Sequence, residues 1–340
     1  MVSWEADMPG ETILMRNDRA GHHVIQTIAA EGEPMKRDYF SMEQDGFYGA
    51  YYENPIRTDR CMIALLGDSI DDHMAVSGAK YLHRNGCNVM TMSPAKKDYG
   101  HHSYAIERFG RAIEVIRSKG NRKIGIVGAS TTGMLALVAA SYYPDITCTI
   151  AMSPCDFIME GFVRDGKDDM KEHPADGESS VTVGGEPLPF LPYAYRHPQY
   201  WQMIQKEAKE GGDMVASRKL FEESERLHPV REDERIKVER IRGRILLIGA
   251  EDDVLWDTCK YIRRMDVRLK TMPHDSQYEL ALYDHGTHFV FPESMLCQML
   301  PLGSGLFVKA AFRAARQHPE ACRATRMDID QKVRSALKDW

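Results

Sequence analysis

A serine at a sharp turn is the first feature of the chain that could carry chemistry. The segment from Lys123 to Leu137 passes from an apolar strand pattern through Gly-Ala-Ser-Thr-Thr-Gly into a helical pattern, which is the context of a nucleophile elbow. Such a turn strains the backbone of the nucleophile and requires small residues two places before and after it, here Gly128 and Thr132. The second glycine of the G-x-S-x-G pattern comes one place late, at Gly133. We predict Ser130 as the nucleophile; the alternative is a serine that only caps the helix.

An acidic group follows later in the chain, as this kind of site requires. Arg244 to Ile248 has the pattern of a buried strand, and Gly-Ala-Glu-Asp-Asp comes directly after it. A carboxylate at this point can hold an imidazole in one tautomer. Asp252 and Asp253 both qualify, and the third position after the glycine favours Asp252.

A histidine comes after the next strand pattern, Tyr278 to Tyr283. Imidazole can take a proton from a serine and return it near neutral pH. His285 and His288 are the candidates, and we favour His288 because it follows a glycine and a small residue. The predicted catalytic residues are therefore Ser130, Asp252 and His288.

An oxyanion formed at Ser130 would need backbone N–H donors. Thr131, next to the nucleophile, supplies one, and the loop that follows the first parallel strand supplies the other, from Asp68 or Ser69. In the same loop Asp71-Asp72-His73 is better explained as the N-cap of a helix than as a set of metal ligands. We predict no metal and no cofactor.

Three further side chains are candidates for substrate binding. His101 and His102 follow the strand pattern Cys87 to Ser93, so they are expected at the same edge of the sheet as the catalytic residues. Trp201 lies near the apolar strip from Pro187 to Tyr193, which could line a pocket for an acyl group. The alternatives are polar loop residues for the histidines and simple packing for the tryptophan.

Short apolar runs alternate with helical patterns from Arg60 onward, which predicts a mostly parallel sheet covered by helices on both faces. The alternation stops for residues 155–243 and then returns, which indicates a cap inserted into one domain that spans residues 1–340. Within residues 1–59, two strand-like runs, His22 to Ala30 and Asp45 to Tyr52, predict an antiparallel pair at a sheet edge. Together with the order of the catalytic residues, this pattern predicts the α/β-hydrolase fold.

Composition excludes several classes of protein. A formal charge of −6 argues against a nucleic-acid-binding surface and gives no attraction to an anionic membrane. No apolar run is long enough to span a bilayer. Met1 to Gly10 lacks the features of a signal peptide, and the seven cysteines are scattered without a CxxC pair. We expect a cytoplasmic protein whose partner is a small molecule; the composition does not indicate an oligomeric state.

Three segments give the chain a family resemblance: Lys123 to Ser130, Arg244 to Trp256, and Gly-Thr-His-Phe at 286–289. With them it resembles the C-terminal catalytic domain of acyl-CoA thioester hydrolases and bile acid-CoA:amino acid N-acyltransferases. The resemblance implies Ser130 as nucleophile, Asp252 as acid and His288 as base. It also implies acyl transfer from an ester or thioester, with water as the acceptor because the nucleophile is serine and not cysteine.

Three functions are therefore open: a serine hydrolase of an acyl ester or thioester, an acyltransferase to an amine or alcohol, and an inactive binding protein of the same fold. The intact Ser, Asp and His in order argue against the third. Coenzyme A as the thiol is disfavoured by charge, because residues 155–243 contain fourteen Lys and Arg against nineteen Asp and Glu, and its phosphates are usually bound by cations.

Overall fold

The computed structural model describes residues 11–17, 23–29, 37–93, 101–163, 173–300 and 303–340. Met1–Arg37 and Asp38–Trp340 form separate compact units. In the first unit, β1 (Glu11–Asn17) pairs antiparallel with β2 (His23–Ala29) along their full lengths.

The N-terminal antiparallel pair is confirmed, but its members differ from the prediction. The run from His22 to Ala30 was expected to pair with the run from Asp45 to Tyr52; instead β2 pairs with β1, and the later run joins the large sheet of the second unit. The closer partner is favoured because a short connection loses less entropy on closure than a long one.

The remaining elements of the described chain are strands and helices. The strands are β3 (Arg37–Phe40), β4 (Gly49–Tyr52), β5 (Arg60–Leu65), β6 (Asn88–Met92), β7 (Tyr104–Ala105), β8 (Lys123–Ala129), β9 (Ile146–Met152), β10 (Glu160–Val163), β11 (His173–Ser179), β12 (Val181–Val183), β13 (Glu186–Pro187), β14 (Arg244–Ala250) and β15 (Gln277–Tyr283). The helices are α1 (Met42–Asp45), α2 (His73–Arg84), α3 (Glu107–Ser118), α4 (Thr131–Tyr142), α5 (Gln199–Gly211), α6 (Arg218–Leu227), α7 (Thr258–Thr271), α8 (Glu293–Met299), α9 (Ser304–Ala311), α10 (Arg313–Gln317) and α11 (Pro319–Asp339).

The large sheet has eight strands in the order β15-β14-β9-β8-β5-β6-β4-β3. Neighbouring strands from β15 to β6 are parallel, and β4 is antiparallel to β6. In β5 every residue from Cys61 to Leu65 is at most 1% exposed, so both faces of the sheet are covered, as the continuous apolar runs predict. The chain therefore has the predicted α/β-hydrolase fold.

The polar segment that interrupts the alternation lies between two adjacent strands. β9 and β14 pair in parallel, with Arg244 opposite Cys148 and Ile248 opposite Met152. The intervening chain forms a hairpin of β10 and β11, a small sheet in which β12 pairs with β13 and β7, and the helices α5 and α6. An insertion at the carboxyl end of β9 brings its residues to the edge of the sheet where ligands bind in this class of fold.

Six of the seven cysteines are buried, including Cys61, Cys87 and Cys148. Burial raises the pKa of the Cys87 thiol to about 11 and that of Cys148 to about 12, so these thiols stay protonated and unreactive near neutral pH. In the part of the chain that the structure describes, no helix combines the length and apolarity needed to cross a membrane.

Candidate active site

Ser130 lies at the sharp turn between β8 and α4. Its φ of 61° and ψ of −130° fall outside the regions that a residue with a side chain ordinarily adopts, and such strain is typical of functional positions. The side chain makes no capping hydrogen bond to α4, and it is partly exposed. The capping alternative is therefore not supported, and the geometry is that of a nucleophile elbow.

Three residues explain why the chain can turn here. A Cβ on Gly128 would lie 2.1 Å from the carbonyl oxygen of Thr132, and a Cβ on Gly133 would lie 2.9 Å from that of Met152. Thr132 takes the place of the usual second glycine, and its hydroxyl braces the turn. Its Oγ1 lies 2.7 Å from the carbonyl oxygen of Leu65 and accepts a hydrogen bond from the Ala129 N–H at 3.0 Å. The departure from G-x-S-x-G is thus compensated by hydrogen bonds.

His288 is paired with a buried carboxylate. Its Nδ1 lies 2.8 Å from Oδ2 and 3.0 Å from Oδ1 of Asp253, and the two side chains are 7% and 0% exposed. Asp253 also accepts hydrogen bonds from the Leu255 N–H at 2.9 Å and from the Thr258 hydroxyl. An ionised carboxylate only accepts, so a neutral imidazole in this position carries its proton on Nδ1 and presents a lone pair on Nε2. That Nε2 is buried and has no hydrogen-bond partner among the described residues.

The predicted partner of His288, Asp252, must therefore be corrected to Asp253. β14 and β15 end in register, with Ala250 opposite Tyr283, so the loops that follow them start at the same level. The turn after Ala250 directs Asp253 inward, and its N–H donates to the Ala250 carbonyl at 3.3 Å. Asp252 instead contacts the backbone of the histidine loop and His285.

Two consecutive residues at the end of β9, Met152 and Ser153, form hydrogen bonds with Ser130 and His288, respectively. The Ser130 N–H donates to the Met152 carbonyl at 2.8 Å, and the Ser153 hydroxyl donates to the His288 carbonyl at 3.0 Å. Ser153 has a positive φ of 45°. Its carbonyl accepts a hydrogen bond from the indole of Trp256, whose ring meets the His288 ring edge-on at 4.9 Å. These contacts bring together four segments that are remote in sequence, while no hydrogen bond joins the Ser130 hydroxyl to Nε2 of His288.

The predicted oxyanion donors differ in their surroundings. Thr131 is the first residue of α4, so its N–H has no acceptor within the helix. Ser69 does not fit the prediction, because its N–H donates to Oδ2 of Asp72 at 2.8 Å. Asp68 follows Gly67, which has a φ of 90°, and its carbonyl accepts a hydrogen bond from Ser93. Asp72 accepts from the Ala75 N–H at 2.9 Å and caps α2, as predicted.

The two histidines predicted to contact substrate have different positions. His101 is 2% exposed, and its Nε2 lies 3.0 Å from the hydroxyl of Thr131, the residue after the candidate nucleophile. Its carbonyl accepts from the Phe162 N–H of β10 at 3.2 Å, so the insertion reaches this edge of the sheet. His102 is partly exposed and pairs with Glu178. Only His101 is therefore seen beside the elbow.

Trp201 packs within the insertion. Its ring meets that of Tyr200 at 6.1 Å on α5. Neighbouring rings then continue in contact toward His288, in the order Tyr200, Tyr193, Phe221, Trp256. These four residues are at most 9% exposed. Their contacts are therefore the packing of buried rings between the insertion and His288.

A cavity of about 770 Å³ lies between α7 and residues 232–236. Its lining includes five cations, of which Arg264 pairs with Asp156 and Glu225, and Arg268 with Glu232 and Glu239. Burial raises the pKa of the Asp156 carboxyl although Arg264 and Arg235 oppose this. Since the cations are matched by carboxylates and Ser130 and His288 do not line it, this cavity is not the candidate active site.

Several residues of the site were not identified from the sequence: Ser153, Trp256, Thr258 and the bracing role of Thr132. The sequence identified the acidic segment after β14, but it favoured Asp252, whereas the structure pairs Asp253 with His288. A tryptophan three places after Asp253 is the one local signal of the packing on His288. Among the described residues no cluster of three or more His, Cys, Asp or Glu is arranged to hold a metal ion.

The chain is similar to solved structures of hydrolases, with low sequence identity. The α/β hydrolase MGS-M1 from a Medee basin deep-sea metagenome library has 12% identity and a TM-score of 0.49, covering 90% of this chain and 99% of that one. A putative dienelactone hydrolase from Klebsiella pneumoniae has 9% identity and a TM-score of 0.49, covering 91% and 100%. Est1E from Butyrivibrio proteoclasticus has 10% identity and a TM-score of 0.43, covering 89% and 99%. No curated protein matches the chain.

A family model decides the assignment. The model described as "BAAT / Acyl-CoA thioester hydrolase C terminal" matches residues 104–298, more than half of the 340 residues. This span contains Ser130, Asp253 and His288, whereas Asp68 and His101 lie before it. The chain belongs to the family of BAAT and acyl-CoA thioester hydrolase C-terminal domains.

Proposed function

We propose that this protein is a serine hydrolase that cleaves an acyl ester or thioester through a covalent acyl-Ser130 intermediate. The observations that carry the proposal are the buried pair of His288 and Asp253, in which Nε2 of the imidazole has no hydrogen-bond partner among the described residues, and the strained elbow at Ser130. Family membership supports an ester or thioester hydrolase in general.

In the first half of the reaction, Ser130 Oγ attacks the acyl carbonyl carbon while His288 Nε2 takes the hydroxyl proton. The negative charge on the carbonyl oxygen is stabilised by the N–H of Thr131, at the N-terminus of α4, and by that of Asp68. Asp253 stabilises the imidazolium that forms. The tetrahedral intermediate collapses, the bond to the leaving oxygen or sulfur breaks, and His288 returns the proton to the leaving group.

In the second half, water attacks the acyl-serine and gives a proton to Nε2. Collapse of the second intermediate releases the carboxylic acid and restores the Ser130 hydroxyl with the proton from His288. An amine or alcohol in place of water would make the enzyme an acyltransferase. We favour water because, in the family that the chain resembles, a serine nucleophile goes with hydrolysis and a cysteine with transfer to an amino acid.

A panel of p-nitrophenyl esters and acyl-CoA thioesters of several chain lengths tests the function, with added glycine and taurine as possible acceptors. We expect the free acid as product in every case. An N-acyl amino acid as the main product would contradict water as the acceptor, and no turnover of any ester or thioester would contradict the hydrolase.

The salt dependence of KM tests the leaving group. Residues 155–243 carry a net charge of −5 from fourteen basic and nineteen acidic residues, and salt screens exposed charges over about 10 Å at 0.1 M. We therefore expect KM for an acyl-CoA to fall or stay constant as salt rises, and KM for a neutral ester to stay constant. A steep rise of the acyl-CoA KM would indicate cations at the phosphates and contradict our preference for an uncharged leaving group.

A further inference from the structure

We propose that Asp252 is a positioning residue that holds the backbone at Gly286 and Thr287, so that the imidazole of His288 meets Asp253. This inference rests on the proposed function, because it assigns His288 and Asp253 to the same reaction. Two consecutive aspartates would then have separate tasks, one on the backbone of the histidine loop and one on its side chain.

The contacts of Asp252 are directed at the backbone of this loop. Oδ1 accepts hydrogen bonds from the N–H of Gly286 at 2.9 Å and from the N–H of Thr287 at 2.7 Å. Oδ2 lies 3.2 Å from Nδ1 of His285. Two consecutive N–H groups on one oxygen fix the orientation of two successive peptide planes, and the second of these planes leads into the residue before His288.

Thr287 is the point where the loop needs holding. Its φ is 61°, in the left-handed region that β-branched residues rarely adopt, and it is completely buried. Such a conformation persists only where surrounding contacts hold it. The Asp252 carboxylate accepts hydrogen bonds from the N–H of this strained residue and from that of the residue before it.

The two ends of the loop are held by other groups. The Thr325 hydroxyl donates to the His285 carbonyl, and the Ser153 hydroxyl donates to the His288 carbonyl at 3.0 Å. Without Asp252 the ends would remain attached while the peptides between them could turn, and the left-handed residue would relax. The imidazole would then lose its alignment with Asp253 although the fold is retained.

The chemistry of the contact separates this role from that of a catalytic acid. Backbone N–H groups need an oxygen acceptor, which the amide of asparagine also provides. An imidazolium needs a negative charge nearby, which asparagine lacks. Asp252→Asn should therefore be tolerated and Asp252→Ala should not, whereas at Asp253 even asparagine should be harmful.

Steady-state kinetics on p-nitrophenyl butyrate test the proposal with Asp252→Asn, Asp252→Ala, Thr287→Gly and the double variant Asp252→Ala/Thr287→Gly. We expect Asp252→Ala to lower kcat roughly 100-fold with KM nearly unchanged, because a misplacement of about 1 Å at a catalytic group has an effect of this size. Asp252→Asn should lower kcat only about threefold, since it keeps the acceptor oxygen. Thr287→Gly should restore about tenfold of the kcat lost in Asp252→Ala, because glycine adopts a positive φ without strain.

The downfield proton NMR signal of His288 Nδ1–H gives a second readout. It should persist in Asp252→Asn and be weakened in Asp252→Ala. The proposal is overturned if Asp252→Ala has the kcat of the wild type, if Asp252→Asn loses as much activity as Asp253→Asn, or if Thr287→Gly restores nothing in the folded double variant. Should Asp252→Ala alone fail to fold, Asp252→Asn and the double variant still decide.

Ser130→Ala separates this inference from the proposed function. If Ser130→Ala retains activity, the proposed function itself fails. If Ser130→Ala is inactive and Asp252→Ala is fully active, only the role of Asp252 fails.

Discussion

The serine elbow and the acid–histidine pair form one candidate site, yet they are specified in different ways. The elbow is a single stretch, from β8 through Ser130 into α4, and its shape follows from small residues close to it in sequence. The acid–histidine pair joins two loops 35 residues apart, across β14 and β15. Its geometry depends on the register of two strands and on a turn of a few residues.

This difference explains why the sequence points to one serine but leaves the partner of His288 open between two aspartates. At the elbow a one-residue shift would put a Cβ into the backbone at Gly128, so the sequence allows one solution. In the acidic loop Asp252 and Asp253 have the same chemistry, and only tertiary contacts distinguish them. Local steric constraints allow a sequence to predict an individual residue. The sequence does not predict which residue of a turn faces a loop that is remote in the chain.

The largest effect is expected on the acid–histidine side. Asp253→Asn should lower kcat about 10⁴-fold, by analogy with the loss in serine proteases when the histidine tautomer is wrong, and it leaves the size of the side chain unchanged. Glu251→Gln is the matched control, because Glu251 lies two residues away and pairs with Arg263 at the surface. Steady-state kinetics on one ester provide the measurement. Asp252→Asn is measured beside them. A loss of kcat in Asp252→Asn that equals or exceeds the loss in Asp253→Asn would mean that the two carboxylates are assigned to the wrong roles.

A smaller effect is expected at the elbow, and on stability. Thr132→Val keeps the shape of the side chain but removes the hydroxyl that braces Ala129 and Leu65. The loss of these two part-buried hydrogen bonds should lower the free energy of unfolding by about 1–3 kcal/mol. Urea unfolding should show this loss for Thr132→Val. The control is Thr271→Val, whose exposed hydroxyl bonds to the carbonyls of its own helix; if both variants are equally stable, Thr132 does not brace the turn.

The same contrast between local and remote specification applies to the fold. The alternation of strands and helices follows from short-range apolar patterns, and the positions of β6, β8, β14 and β15 agree with the predicted runs. The predicted partner of β2 was wrong, because the apolar pattern of a strand does not specify which neighbouring strand it pairs with. Likewise the engagement of the Ser69 N–H by Asp72 and the contact of His101 with Thr131 depend on tertiary geometry.

The nucleophilic role of Ser130 is the central claim, and covalent labelling tests it most directly. A fluorophosphonate probe should add once to the wild-type protein, with the adduct mapped by peptide mass spectrometry to the segment that contains Ser130. Ser130→Ala should not be labelled, whereas Ser141→Ala, a serine on the same helix whose hydroxyl bonds to Val138, should be labelled like the wild type. Labelling that persists in Ser130→Ala, or an adduct that maps to another serine, would contradict the assignment.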